Sequence, residues 1–278
     1  MTEQPTNLDQ LKLTCAKSEE NIVNPEDVSK LVDEICDFYH FPQQMRRKGK
    51  RGRVLRVAGD VFANMQLEFY RRIGVIPKEF DPNITQLGGI IAGISKDEFR
   101  QKQIEAVNAF LDRKADIGCG VYIPDNDGKY TIYLNQEKIK SLDDEMMIIK
   151  HELYHAMTDG GHGNKSGFMK ADGKYHDLNE AVIQTLNLCE VYRGLSFEDL
   201  TIAVFNKKIE TPYYSSVIGL MVILSRASSA GKNELDAAQK LADFLIQGDP
   251  IFMYGMLVSQ MSVSDRNQLK YPLSILLN

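Results

Sequence analysis

Two histidines four positions apart, with a glutamate directly after the first, are the residues best suited to chemistry in this chain. Residues 150–155 read KHELYH, so His151 and His155 bracket Glu152. On a helix of 3.6 residues per turn, the two histidines project from one face about one turn apart. Both imidazoles can then reach one ion at about 2.0–2.1 Å, while Glu152 flanks the ion and faces a coordinated water. The pattern H-E-x-x-H therefore predicts a zinc site.

An ordinary helix with two solvated or packed histidines is the competing interpretation of this pattern. Three features favour the metal. The motif lies on a predicted helix, a predicted β-hairpin precedes it, and four of the five histidines fall between positions 151 and 176. A catalytic zinc also needs a third protein ligand and leaves its fourth position to water.

The third ligand is expected from the segment DLNEA at residues 177–181, where Glu180 lies 25 residues after His155. HELYH followed by NEA on a second helix resembles the gluzincin class of zinc metallopeptidases, whose best-known member is thermolysin. The resemblance covers about residues 119–192. It implies a zincin-like fold, Zn²⁺ bound by His151, His155 and Glu180, and Glu152 as the catalytic acid and base.

Other interpretations of these carboxylates and imidazoles stay open at this point. Asp177 and Glu180 also fit a capping box, in which a first-turn glutamate needs no metal. Glu190 is a second carboxylate candidate. His162 could serve as the third histidine of a metzincin-type site, although its spacing is one residue too long, and His176 is a further candidate.

The position four residues after Glu180 differs from the thermolysin pattern, in which an aspartate there orients a zinc-bound histidine. Here it is Gln184. An amide oxygen can accept a hydrogen bond from an imidazole N–H, but it raises the basicity of the ligand less than a carboxylate does.

Peptide hydrolysis at such a site needs a second group to stabilise the oxyanion, and related enzymes use a tyrosine or histidine. The sequence does not choose among the candidates, which are His162, His176, Tyr192, Tyr213 and Tyr214. By analogy with zincins, the strand at residues 130–134 is predicted to pair with an extended peptide substrate.

Helix signals dominate the rest of the chain. The segment NPED at residues 24–27 supplies an N-cap, a proline at the first helical position and acids in the first turn. Its helix is predicted to reach about Tyr39 and to stop before Pro42. Further helices are predicted over residues 53–72, 95–116, 177–192, 197–208, 214–228, 234–247 and 251–261.

The clearest β signal lies just before the histidine motif. Residues 120–124 and 130–134 are short β-branched and aromatic runs separated by a turn containing Gly128, which predicts a hairpin. Ser141 then caps a helix that carries the motif and ends near Asp159. We expect an α+β, mainly helical chain. Residues 1–116 would form an N-terminal helical lobe and residues 117–278 a zincin-like catalytic domain with C-terminal helices; the alternative is that both parts belong to one domain.

Composition and charge place the chain among ordinary globular proteins. Of its 278 residues, 43% are apolar and 26% charged, and its net charge is −5. Four cysteines form no CxxC pair, which favours reduced thiols. The N-terminal residues do not resemble a secretory signal, and the longest apolar stretch is too short to span a bilayer. We therefore expect a cytoplasmic protein, or one secreted by a route that reads no N-terminal signal.

Residues 45–56, MRRKGKRGRVLR, form a basic segment in which seven of twelve residues are lysine or arginine. An exposed loop and helix start would explain it. Docking of an acidic partner or a targeting signal between Arg46 and Arg56 is the functional alternative. Nucleic acid is not favoured because no aromatic residue is interleaved.

Three functions compete on this evidence. The first is a zinc endopeptidase acting on proteins or peptides. The second is a regulatory protease that cuts one specific protein, similar to the ImmA/IrrE-like proteins, which share H-E-x-x-H and a downstream glutamate, or a protease delivered into another cell. The third is a helical interaction protein that uses the basic segment and binds no metal.

Overall fold

A computed structural model describes residues 22–59, 61–62, 65–66, 119–125, 128–159, 167, 175–209, 211, 214–228, 234–248, 250, 253, 255 and 259. This part of the chain is mainly helical with one small three-stranded sheet, as predicted. The elements with described bounds are α1 (Pro25–Phe38), α2 (Gln43–Gly49), β1 (Gly52–Val57), β2 (Gly120–Pro124), β3 (Tyr130–Asn135), α3 (Leu142–Thr158), α4 (His176–Val191), α5 (Phe197–Phe205), α6 (Tyr214–Ser228) and α7 (Glu234–Gln247). Among the described helices, none is long and apolar enough to cross a membrane.

The sheet has the order β1-β3-β2, so β3 is its central strand. Strands β2 and β3 are antiparallel and form the predicted hairpin, in which Gly128 adopts a φ of 75°. Strand β1 pairs with β3 in parallel, and Gly52 lies opposite Tyr130. The sheet thus joins strands from both predicted lobes. The boundary predicted at residues 116–117 lies outside the described residues and stays a prediction.

The prediction of a helix over residues 53–72 is wrong for residues 53–57, because residues 52–57 form the strand β1. Val54, Leu55 and Val57 are buried, and their spacing also fits one helical face. The strand forms because its backbone groups pair with β3, a contact with a distant segment that local periodicity does not reveal. Positions 59, 61, 62, 65 and 66 are helical as predicted, and residues 67–72 and the helix predicted over 95–116 lie outside the described residues.

Local capping signals set the start of α1 and α3 as the sequence predicts. The Asn24 side chain accepts a hydrogen bond from the Glu26 backbone N–H at 3.0 Å. Ser141 accepts one from the Asp144 N–H at 3.1 Å. Each bond satisfies a backbone donor that the first helical turn leaves without a partner. The helices α4 to α7 also lie where they were predicted, and the described positions 253, 255 and 259 are helical.

Helix α3 packs on the sheet and contacts β2, β3, α1, α2 and α4, so it lies at the centre of the described fold. Its C-terminal end is held from two sides. The Tyr122 hydroxyl on β2 donates to the Asp159 carboxylate, and the Lys48 ammonium on α2 donates to the Asp159 carbonyl. These bonds fix the helix that carries both histidines against the sheet.

Most basic side chains of residues 45–56 form ion pairs or hydrogen bonds with other parts of the protein. Arg46 pairs with Asp33 at 2.8 Å, and Lys50 pairs with the same carboxylate at 2.6 Å. Arg56 pairs with the buried Glu145 at 2.6 Å. Residues 43–49 form α2, a helix that was not predicted, and residues 52–57 form β1. The interpretation of the basic segment as an exposed loop and the start of a helix is therefore wrong. The docking of an acidic partner on this segment stays a prediction.

A buried ion pair ties α3 to α4. The Lys150 ammonium lies 2.7 Å from a Glu190 carboxylate oxygen and 2.9 Å from Glu34, and the Glu190 side chain is only 1% exposed. Arg193 contacts the second oxygen of Glu190. Removing one partner from such a pair leaves a charge in a low-dielectric interior.

We expect Lys150→Met to lower the free energy of unfolding by about 3 kcal/mol, because it leaves the buried Glu190 charge poorly compensated. Lys30→Met, which removes a surface pair with Asp27 at 3.2 Å, should cost less than about 1 kcal/mol. Urea denaturation of both variants tests this. Equal losses would contradict a structural role for the buried pair.

Candidate metal centre

Three ligand atoms from α3 and α4 meet at one point. Glu180 Oε2 lies 3.0 Å from His151 Nε2 and 3.3 Å from His155 Nε2. The two Nε2 atoms are 3.2 Å apart. These three residues form a buried group that could hold a metal ion, as the H-E-x-x-H pattern and the downstream glutamate predict.

The distances within this group fit a small metal ion with tetrahedral ligands. Ligand atoms about 2.0–2.1 Å from a tetrahedral centre are separated by about 3.3–3.4 Å. The observed separations of 3.0–3.3 Å are close to that value. Two neutral imidazoles cannot turn their lone pairs toward each other at this distance without repulsion, so the group needs a proton or a metal cation between its members.

Glu180 lies in the second turn of α4 and not at its capping position. The helix starts at His176, and its N-cap is Tyr175, which has a φ of 64° and makes no side-chain capping bond. The alternative interpretation of Asp177 as an N-cap is therefore wrong. Glu180 lies inside the helix, 6% exposed, with its carboxylate turned toward the imidazoles of α3.

Gln184 orients the first histidine, as its position predicts. Its Oε1 lies 2.9 Å from His151 Nδ1. An amide oxygen only accepts hydrogen bonds, so Nδ1 carries the proton and Nε2 keeps its lone pair for the shared point. A partner on the far ring nitrogen of this kind fixes both the tautomer and the orientation of a metal-binding imidazole.

The electrostatics of the centre favour binding a cation. Burial lowers the pKa of His151, but the hydrogen bond and charge of Glu180 outweigh it, so the pKa lies above its usual value. Burial raises the pKa of Glu152, and the neighbouring His151 and His155 offset part of this rise. Glu180 and Glu152 thus bring two carboxyl groups to one buried place, where a cation stabilises their charged forms.

Glu152 lies on the side of α3 that faces the sheet. It is 7% exposed, and the nearby backbone N–H of Tyr122 lowers the pKa of its carboxyl group, against the larger rise caused by burial. It also lies against Gly120, where an added Cβ would come within 3.0 Å of Glu152 Oε1. The glutamate is therefore beside the ligand group and held by β2.

The remaining sequence candidates divide into two sets. Glu190, the weaker carboxylate candidate, forms the ion pair with Lys150 and lies about 15 Å along α4 from Glu180, which excludes it as a ligand. Tyr192 ends the same helix, about 18 Å from Glu180. The side chains of the other candidates, His162, His176, Tyr213 and Tyr214, lie outside what the structure describes, so their roles stay predictions.

The strand chosen from the sequence for substrate pairing is wrong. Residues 130–134 belong to β3, whose two edges are occupied by β1 and β2. Among the described strands, β1 and β2 are the two edge strands, and β2 is the one that lies next to Glu152. Sequence reasoning missed Gly120 and Tyr122 for this reason. The available signal was a glycine at the start of a β-branched run, which often marks a close approach of another group.

No protein-family model, curated protein or solved structure matches the chain. The class of the site therefore rests on its geometry and on the sequence motif.

Removing the hydrogen bond between Gln184 and His151 should weaken metal binding while all three ligand residues remain. We expect Gln184→Leu to lower zinc affinity by about 10–100-fold, because the His151 ring loses its orienting partner. Gln247→Leu, at the exposed end of α7, is the matched control and should leave affinity unchanged. Calorimetric zinc titration measures both. Equal affinity for the two variants would contradict the orienting role.

Zinc affinity should fall as the pH falls, because zinc binds the neutral imidazole and the raised pKa of His151 keeps its proton to a higher pH. We expect affinity to rise at least tenfold per pH unit from about pH 5.5 to about pH 6.5 and to level off only above that range. Competition with a chromophoric chelator, corrected for protonation of the chelator, gives the slope. A flat profile would contradict imidazole ligation.

Proposed function

We propose that the protein is a zinc-dependent metallopeptidase with a gluzincin-type site in a zincin-like domain. The observation that carries the proposal is the meeting of His151, His155 and Glu180 at tetrahedral spacing, with Glu152 buried beside them. The first three residues would hold the ion. Three protein ligands leave one position for water or substrate, which is the layout of catalytic rather than structural zinc.

Zinc in such a site lowers the pKa of a water molecule to about 7 and polarises a carbonyl group. Glu152 would accept the proton of that water as it attacks the peptide carbonyl and pass it to the leaving amine. The raised pKa of Glu152 suits this exchange, since a carboxylate that holds a proton more tightly is a better base.

The edge of β2 supports a peptide as the substrate. Asn135 N–H bonds to the Cys119 carbonyl at 2.9 Å, and Asp125 N–H bonds to the Lys129 carbonyl at 2.8 Å. Because bonding alternates along an antiparallel pair, the backbone groups of Gly120 and Tyr122 face away from β3. An extended peptide could pair with the Gly120 backbone groups and the Tyr122 carbonyl beside Glu152, as strands add to sheet edges, whereas the Tyr122 N–H is directed at the Glu152 carboxylate.

The position of the sheet also fits a zincin-like domain. Helix α3 carries both histidines, packs directly on β2 and β3, and follows the hairpin in sequence. The third ligand comes from α4, the next helix with described bounds. The arrangement of hairpin, motif helix and glutamate helix is the one that the gluzincin resemblance implies.

The decisive variant is Glu152→Gln. It should keep about one zinc per chain and lose peptide hydrolysis by about 100-fold or more, because the amide cannot accept the proton. Zinc content by atomic absorption and cleavage of a diverse peptide library provide the two readouts.

Glu137→Gln, which changes an exposed glutamate outside the site, is the matched control and should cleave like wild type. Full cleavage by Glu152→Gln would refute the mechanism. Wild-type protein that loads zinc and cleaves nothing in the library would refute the peptidase assignment.

A further inference from the structure

We propose that the outer edge of β2 is a seat that sets the position of the Glu152 carboxylate, and that Gly120 is a positioning residue of this seat. The catalytic consequence rests on the proposed function. The seat itself rests on contacts that involve Gly120, Tyr122 and Glu152.

Gly120 lets Glu152 lie flat against the strand. A Cβ built on Gly120 would be 3.0 Å from Glu152 Cγ, 3.0 Å from Glu152 Oε1 and 2.6 Å from Ile148 Cγ2. Real Cβ atoms are rarely found this close to other heavy atoms, so any larger residue here must push the glutamate or the helix away. The glycine is needed for this close approach.

Tyr122 supplies the second restraint. Its backbone N–H points away from β3, since the ladder bonds are made by residues 119, 121, 123 and 125. The acceptor that we assign to this N–H is the Glu152 carboxylate, which lies against Gly120 and whose pKa the N–H lowers. The close contact with Gly120 and the Tyr122 N–H donor together restrict the Glu152 side chain, which has three rotatable bonds.

The seat and the ligand group belong to different elements. Glu180 and Gln184, which set the metal side, lie on α4, whereas Gly120 and Tyr122 lie on β2. A change on β2 should therefore move the base and leave the ligands in place. Catalytic groups must be held within about 0.5 Å of the productive geometry, so even a small displacement of Glu152 should lower the rate of the chemical step.

We expect Gly120→Ala to lower kcat by about 10–100-fold, with KM and zinc content close to wild type. Gly59→Ala is the matched control. A Cβ at Gly59 would lie 2.4 Å from the exposed Glu137 carboxylate, so this variant also displaces a glutamate, but one outside the site. Its kcat should be unchanged. An unchanged kcat in Gly120→Ala would overturn the positioning role.

A second variant separates positioning from loss of stability. Adding Ile148→Ala to Gly120→Ala removes the 2.6 Å contact and leaves the contact with Glu152. Stability should then recover while kcat stays low. If kcat recovers together with thermal stability, ordinary packing explains the first variant and the seat is wrong.

Hydrogen exchange tests the seat without any activity. The Tyr122 amide should be protected in wild type and should exchange at least about tenfold faster in Glu152→Ala and in Gly120→Ala. The amides of Val121 and Ile123, which bond to β3, should not change. Equal exchange of Tyr122 with and without the carboxylate would overturn the seat. Protection that depends on Glu152, in a protein that cleaves no peptide, would support the seat and refute the proposed function alone.

Discussion

Helices α3 and α4 run antiparallel, and the register between them decides whether a metal site can exist. Along this interface Asn187 donates to the Met147 carbonyl at 2.9 Å, Gln184 accepts from His151, and Glu180 lies beside both imidazoles. A shift of α4 by one residue would move Glu180 by about 1.5 Å along the axis and turn it by about 100°. Its carboxylate would then face away from the histidines. The ligand set therefore depends on helix packing as much as on the ligand residues themselves.

Polar and charged contacts fix this register inside an apolar interface. Lys150 and Glu190 form a buried ion pair close to the polar contacts of Asn187, while Leu153 and Ala181 contribute to the surrounding core. Apolar contacts alone tolerate sliding, because a leucine packs nearly as well against one neighbour as against another. A buried ion pair is satisfied in one arrangement only, so it selects that arrangement even where it adds little net stability.

The sequence predicted the parts of the structure that depend on neighbouring residues. Caps at Asn24 and Ser141, the hairpin and the one-turn spacing of His151 and His155 are all local signals, and each was confirmed. The parallel strand β1 was missed because its pairing partner lies far along the chain. The strand expected to pair with substrate, β3, is central rather than at an edge for the same reason. The pairing of β1 with β3 covers its second side and leaves β2 as the edge strand next to Glu152. The fit of Glu152 against Gly120 depends on atomic distances that composition and periodicity do not encode.

The pairing of β1 with β3 has a consequence for how the chain folds. Gly52 lies opposite Tyr130, so this ladder closes a loop of 78 residues, whereas the β2–β3 hairpin closes within a few residues. Local contacts of that kind form in microseconds, and distant ones must first overcome the entropy of loop closure. Until β1 arrives, one side of β3 is an open row of backbone donors and acceptors. In that interval, this open side of β3 can pair with a strand of a second molecule.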